Sequence, residues 1–69
     1  MLTARETEVL RLIAAGRKTT MIAEQLRISA PSVAAFRASA MAKLGLRSRV
    51  DIVRYALVQD WLDEEADVA

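Results

Sequence analysis

The run SVAAFRASAMAKLGLRSR, residues 32–49, decides the fold of this chain. Val33, Phe36, Ala40 and Leu44 recur at the i, i+3, i+4 spacing of a helix with one buried stripe. Ser29 stands just ahead as an N-cap, and Pro31 falls in the first turn, where a missing backbone donor costs nothing. Gly45 supplies a left-handed stop. Ser48, with Asp51 three residues later, opens a further helix that the apolar pattern carries to about residue 62.

Upstream, TARETEVLRLIAAG (residues 3–16) reads as the first helix, with Glu6, Val9, Leu10 and Ile13 on one face. Thr3 and Glu6 have capping-box spacing, Leu2 can close a hydrophobic staple, and Gly16 ends the helix. A short second helix over about residues 20–26 turns Ile22, Ala23 and Leu26 inward, with Thr19 as its cap. Arg27 and Ile28 then make a tight turn into the helix of about residues 30–44. No segment alternates apolar and polar residues, so no strand is expected. The expected fold is all-α: a four-helix bundle in which helices two and three form a helix-turn-helix, with helix four available for dimerisation. It would occupy residues 1–62, leaving 63–69 as an acidic, frayed C-terminal tail.

Sixty-nine residues allow one domain with one small core, and a hydrophobic fraction of 54% suffices to build it. Without cysteine there is neither a disulfide framework nor a thiolate metal site. Without histidine, catalysis lacks its ordinary base near neutral pH. Glu6 and Glu8 are two apart on a helix and diverge, and Gly16 and Gly45 are isolated stops, not a phosphate loop. The chain is therefore read as no enzyme, with no catalytic residue, cofactor, metal or small-molecule ligand. No apolar run approaches the ~20 residues that span a bilayer, and there is no signal peptide, which predicts a cytoplasmic protein with no membrane partner.

The formal charge of +1 conceals a strong asymmetry. All ten basic residues lie at or before Arg54, whereas five of the nine acids fall in the last ten positions. Residues 1–59 carry ten cations against four anions, a net +6. A basic globule with a short acidic tail has the electrostatic pattern of a nucleic-acid-binding domain.

These residues together resemble one family. LTARETEVLRLIAAG (2–16), IAEQL (22–26), IS (28–29), SV (32–33), FR (36–37) and KLGLRSR (43–49) are similar to the LuxR/NarL/FixJ-type (GerE-like) helix-turn-helix domain of bacterial response regulators, over about residues 2–58. RASAMAK (37–43) looks closest to the FixJ branch. The resemblance implies a DNA-binding effector domain of a transcription regulator, with the third helix in the major groove and the fourth making a homodimer. It also implies an upstream receiver or ligand-binding domain outside this chain, a stand-alone regulator being the alternative.

Departures from the family pattern fall on the reading helix and its approach. Lys18-Thr19-Thr20-Met21 replaces the polar capping sequence usual before helix two. Phe36 stands where the family favours histidine, Ala34 where lysine or glutamate is usual, and Ala35 where valine is typical. At about 100° per residue, the face opposite the buried stripe is Pro31, Ala34, Ala35, Ala38 and Ala42, with Ser32 and Ser39 on one flank and Arg37 and Met41 on the other. Alanine cannot form the bidentate hydrogen bonds that read guanine or adenine, though it can pack on a thymine methyl.

The expected partner is double-stranded DNA, sequence-specific or semi-specific. Arg37 is assigned to a base edge, Lys18, Thr19, Thr20, Ser29 and Lys43 to phosphates, and Ser32, Ala34, Ala35 and Ser39 to the lining of the base edges. The alternative is a protein-interaction module that keeps the fold but has lost specific readout. In helix four, Ile52, Val53, Ala56 and Leu57 suit the core, while Arg54, Tyr55, Val58, Trp61 and Leu62 form a second stripe for a two-fold dimer. Trp61 and Leu62 folding back onto the core is the competing arrangement. A dimer would set two recognition helices ~34 Å apart on a roughly palindromic site.

Overall fold

Four helices follow one another in the computed structural model, which describes residues 1–61: α1 (Ala4–Ala14), α2 (Thr19–Leu26), α3 (Ala30–Leu44) and α4 (Arg49–Val58). No strand occurs among the described residues, and the fold is all-α. Leu62 and the expected tail 63–69 lie outside them. No helix among the described residues is long and apolar enough to cross a membrane.

α1 is the hub, packing against each of the other three helices, while α3 also lies along α2. Its Val9 and Leu10 are fully buried, and they meet Ile22 of α2, Val33 and Ala40 of α3, and Ile52 of α4 in one core. Phe36 and Leu44 pack half-buried against it.

Local chemistry sets the helix starts. The Thr3 hydroxyl accepts from the Glu6 N–H at 3.1 Å, and Glu6 Oε1 accepts from the Thr3 N–H at 2.8 Å, completing the capping box. Ser29 and Ser48 cap α3 and α4 by accepting from the N–H of Ser32 and of Asp51. α2 differs from expectation: it begins at Thr19, its N-cap is Lys18, and no side chain caps it. Lysine has no acceptor to offer, and both threonines already lie within the first turn. Arg27 closes α2 in the left-handed region, φ 58°, where an L residue costs roughly 1–2 kcal/mol. A turn of three residues, 27–29, leads straight into α3.

α4 ends four residues before the apolar pattern suggests. Asp60 takes φ 61°, and the Trp61 N–H donates back to the Ala56 carbonyl at 2.8 Å. This return places the Trp61 ring edge-on to Tyr55, centroids 5.3 Å apart, with the Arg11 guanidinium 5.8 Å over the Trp61 ring. Ring pairing and the cation over the indole stabilise the turned-back end over further helix. Leu57, expected in the core, is instead 47% exposed.

One polar contact fixes the rotation of α3 about its own axis. Glu6, 4% exposed, stands on the inward face of α1. Its Oε2 accepts from the Ser39 hydroxyl at 2.5 Å, and its Oε1 accepts from Lys43 Nζ at 2.9 Å. With the Thr3 N–H these donors satisfy the carboxylate, and no buried side-chain polar atom among the described residues lacks a partner. The Ser39 hydroxyl, the Lys43 ammonium and the Thr3 N–H, in that order, hold the Glu6 carboxyl down at about 2, against the opposing cost of burial.

Leu10→Ala should cost about 2–5 kcal/mol, a large share of the stability of so small a domain, measured as a fall in the urea midpoint. A loss below about 1 kcal/mol would mean that Leu10 is not a core residue. Because Glu6 titrates at about 2 folded and near 4.5 otherwise, its contribution is complete above pH 4.5 and is lost as pH falls toward 2. Thermal midpoints should drop across that window, and Glu6→Gln should remove the Glu6 share of the drop while lowering the midpoint at pH 7.

Candidate nucleic-acid interface

With Val33 and Ala40 buried and Ser39 and Lys43 held by Glu6, the solvent face of α3 is determined. Pro31, Ala34, Ala35, Ala38 and Ala42 are all exposed, the face expected from the helical period. Not one side chain on it carries a hydrogen-bonding group. Ser32 sits at its edge, half-buried, and its hydroxyl accepts from Ser29 Oγ at 2.8 Å within the cap of α3. Ser29 and Ser32 are thus brought together, but chiefly to start the helix.

Ser39 and Lys43 are not where the reading of the sequence put them. Both turn their polar atoms to α1, and Lys43 Nζ also lies 3.4 Å from the Met1 carbonyl. Their i, i+4 spacing on α3 suits a single acceptor on the neighbouring helix. An acid placed on an apolar helix face was the signal for this, since a buried carboxylate requires donors.

The cationic residues gather at the side of α3, around a cleft of about 500 Å³. Gly16, Arg17, Lys18 and Thr19 form its rim at the α1–α2 turn, Ala34 and Arg37 come from α3, and Arg49 comes from the first turn of α4. Ile13 and Val33 make an apolar floor. Arg37 is half-buried here, beside the outward face and not on it. Thr20 is exposed on the next position of α2. Arg17 and Arg49 escaped the sequence reading, because only the fold brings positions 17 and 49 to the same opening as position 37.

Among the described residues, no acidic residue lines the cleft. Among the described residues the ion pairs are Arg5–Glu8 and Lys43–Glu6, so Arg17, Lys18, Arg37 and Arg49 have no carboxylate within reach there. The uncapped start of α2, carrying the positive end of the helix dipole, opens beside them at Lys18 and Thr19. Four cations and unmet backbone donors on an apolar floor make a surface that attracts anions.

On α4, Val50 (57% exposed), Leu57 and Val58 (80% exposed) share one face with exposed Arg54 by their i, i+4, i+7, i+8 spacing. Tyr55 and Trp61, expected in the outer stripe, are half-buried against each other and Arg11, the arrangement in which the end folds back. The exposed apolar face is therefore rotated from the expected one, retaining Arg54 and Val58.

The GerE family model, bacterial regulatory proteins of the luxR family, matches residues 1–56. The oxygen regulatory protein NreC of Staphylococcus aureus (strain JH9) is 43% identical over 63 residues, which cover 91% of this chain and 29% of NreC. NreC of strain JH1 matches to the same extent. The chain thus spans under a third of the length of these curated relatives. The solution structure of the DNA-binding domain of the Erwinia amylovora RcsB protein superposes with a TM-score of 0.73 at 38% identity, covering 81% of this chain and 64% of that one.

Proposed function

Since the chain belongs to the luxR family of bacterial regulatory proteins, we propose that it binds duplex DNA as the effector module of a cytoplasmic transcription regulator. α2 and α3 act as the helix-turn-helix, with α3 in the major groove. The observation that carries this reading is the cleft at the side of α3, where Arg17, Lys18, Arg37 and Arg49 stand without acidic partners among the described residues. These side chains, with Thr19, Thr20 and the open start of α2, meet the backbone phosphates on one edge of the groove.

The outward alanines meet the bases. Ala34, Ala35 and Ser32 offer methyl contacts and one hydroxyl in place of forked donors, so direct readout is weak. Affinity then rests on phosphates, and selectivity on the shape and deformability of the duplex. The name of the RcsB domain, a DNA-binding domain, supports this partner. Arg37 takes a phosphate in this arrangement, because its half-buried place in the cleft aligns it with Lys18 and Arg49. Ser39 and Lys43 serve through Glu6 by holding α3 in the rotation that presents the alanine face.

The smooth alanine face favours one other reading, a protein-interaction module that keeps the fold, and a single experiment separates the two. Fluorescence anisotropy on random-sequence duplex across a salt series should give saturable binding whose logarithm falls with log salt by about 0.9 for each phosphate contacted. Arg37→Ala should weaken binding on every sequence and flatten that slope by about 0.9. Unchanged binding in the variant would remove Arg37 from the interface. Absence of duplex binding at low salt by the folded chain would favour the interaction module.

We further propose a homodimer through the α4 face of Val50, Arg54, Leu57 and Val58, with an upstream signal-receiving domain in the full regulator. The apolar exposure of Val58 and Leu57 supports the dimer. Sedimentation equilibrium should show a concentration-dependent dimer that Val58→Glu shifts to monomer. A wild-type chain that stays monomeric at about millimolar concentration would overturn it.

A further inference from the structure

We propose that the cleft beside α3 is also a binding site for a free phosphate chain, inorganic pyrophosphate or the chain of a nucleotide, and that this ligand competes with duplex DNA for the domain. Binding in the cleft stands apart from the DNA reading, whereas the competition rests on it. A small-molecule site was not expected from the sequence, which scatters the four cations over positions 17, 18, 37 and 49.

Volume is the first support. About 500 Å³ is more than one backbone phosphate fills and lies within the roughly 300–1,000 Å³ of small-ligand sites. Charge is the second. Arg17, Lys18, Arg37 and Arg49 line one opening, and among the described residues no acid lines it with them. Asp51, the acid closest in sequence to Arg49, accepts instead from the Arg47 N–H at 2.9 Å. Four positive charges call for a ligand with several negative ones, which a chain of two or more phosphate groups supplies within one cleft.

Donor chemistry is the third support. Each guanidinium presents a planar fork that matches two phosphate oxygens, and Lys18 adds a point charge. At the mouth, the Thr19 hydroxyl and the uncapped first turn of α2 add donors to the same opening. The cationic donors gathered in the cleft favour a polyanion over a neutral or cationic ligand. Ile13 and Val33 form a floor without charge, so each ion pair made above it is less screened than on an open surface.

The test uses this chain and sodium pyrophosphate at constant ionic strength, without DNA, followed by amide chemical shifts. Saturable shifts should centre on Gly16, Arg17, Lys18, Thr19 and Arg49. Arg49→Gln should raise the dissociation constant about tenfold, and Arg17→Gln should do the same should the first variant unfold. Arg5→Gln removes the same charge outside the cleft and should leave it within about twofold. Shifts that do not saturate, that spread equally to Arg5, Arg27 and Arg54, or that survive both cleft variants overturn the proposal. In a second arm, pyrophosphate should displace a bound duplex. Pyrophosphate binding in the cleft without any duplex binding would sink the DNA reading and leave the cleft site standing; duplex binding without pyrophosphate binding would do the reverse.

Discussion

A buried carboxylate on the hub helix is the constraint on which the outward surface of α3 depends. Glu6 is almost fully enclosed, and an ionised carboxylate in that position is tolerable only with its lone pairs met. Its donors come from the start of its own helix and from Ser39 and Lys43 on α3. Apolar packing of Val33 and Ala40 would admit some rotation of α3, because hydrophobic contact has no direction. Hydrogen bonds to one carboxylate, reaching it from two successive turns, do not. Glu6 therefore decides which side chains of α3 face outward, though it is itself remote from that face.

That decision separates the charges from the outward face of α3. The outward face holds alanines, and the charges stand to its side, contributed by the α1–α2 turn, by Arg37 and by Arg49. Attraction to a polyanion is long-ranged and needs no particular base, whereas discrimination between base pairs needs directed donors and acceptors. A surface arranged in this way has ample means for the first and few for the second. The same separation gathers four cations around one open cleft at the side of α3.

Much of the fold was legible because its punctuation is local. Thr3 with Glu6, Ser29, Gly45 and Ser48 act within a turn of themselves, and each does what its residue type implies. The outward alanine face was equally readable, since it follows from helical period alone. What escaped depends on approach between distant segments. Ser39 and Lys43 looked like free surface until α1 brought an acid to them, and Arg17 and Arg49 looked unrelated until the fold set them around Arg37. The end of α4 was misplaced for the same reason: Leu57 to Trp61 continues an apolar pattern, but Arg11 and Tyr55 hold the indole in a reversed turn. At α2 the residue types themselves were ambiguous, two threonines after a lysine, and the helix began one residue early without a side-chain cap.

The turn at Arg27 joins α2 and α3 across three residues, whereas Lys43 reaches Glu6 across a separation of 37. Closing the longer loop costs about 2 kcal/mol more in chain entropy than closing the shorter. The α2–α3 pair can thus assemble early, from neighbours, while the azimuth of α3 is settled only when α1 docks. On these grounds the helix-turn-helix should form before its outward face is defined, which makes that face the last part of the molecule to acquire its identity.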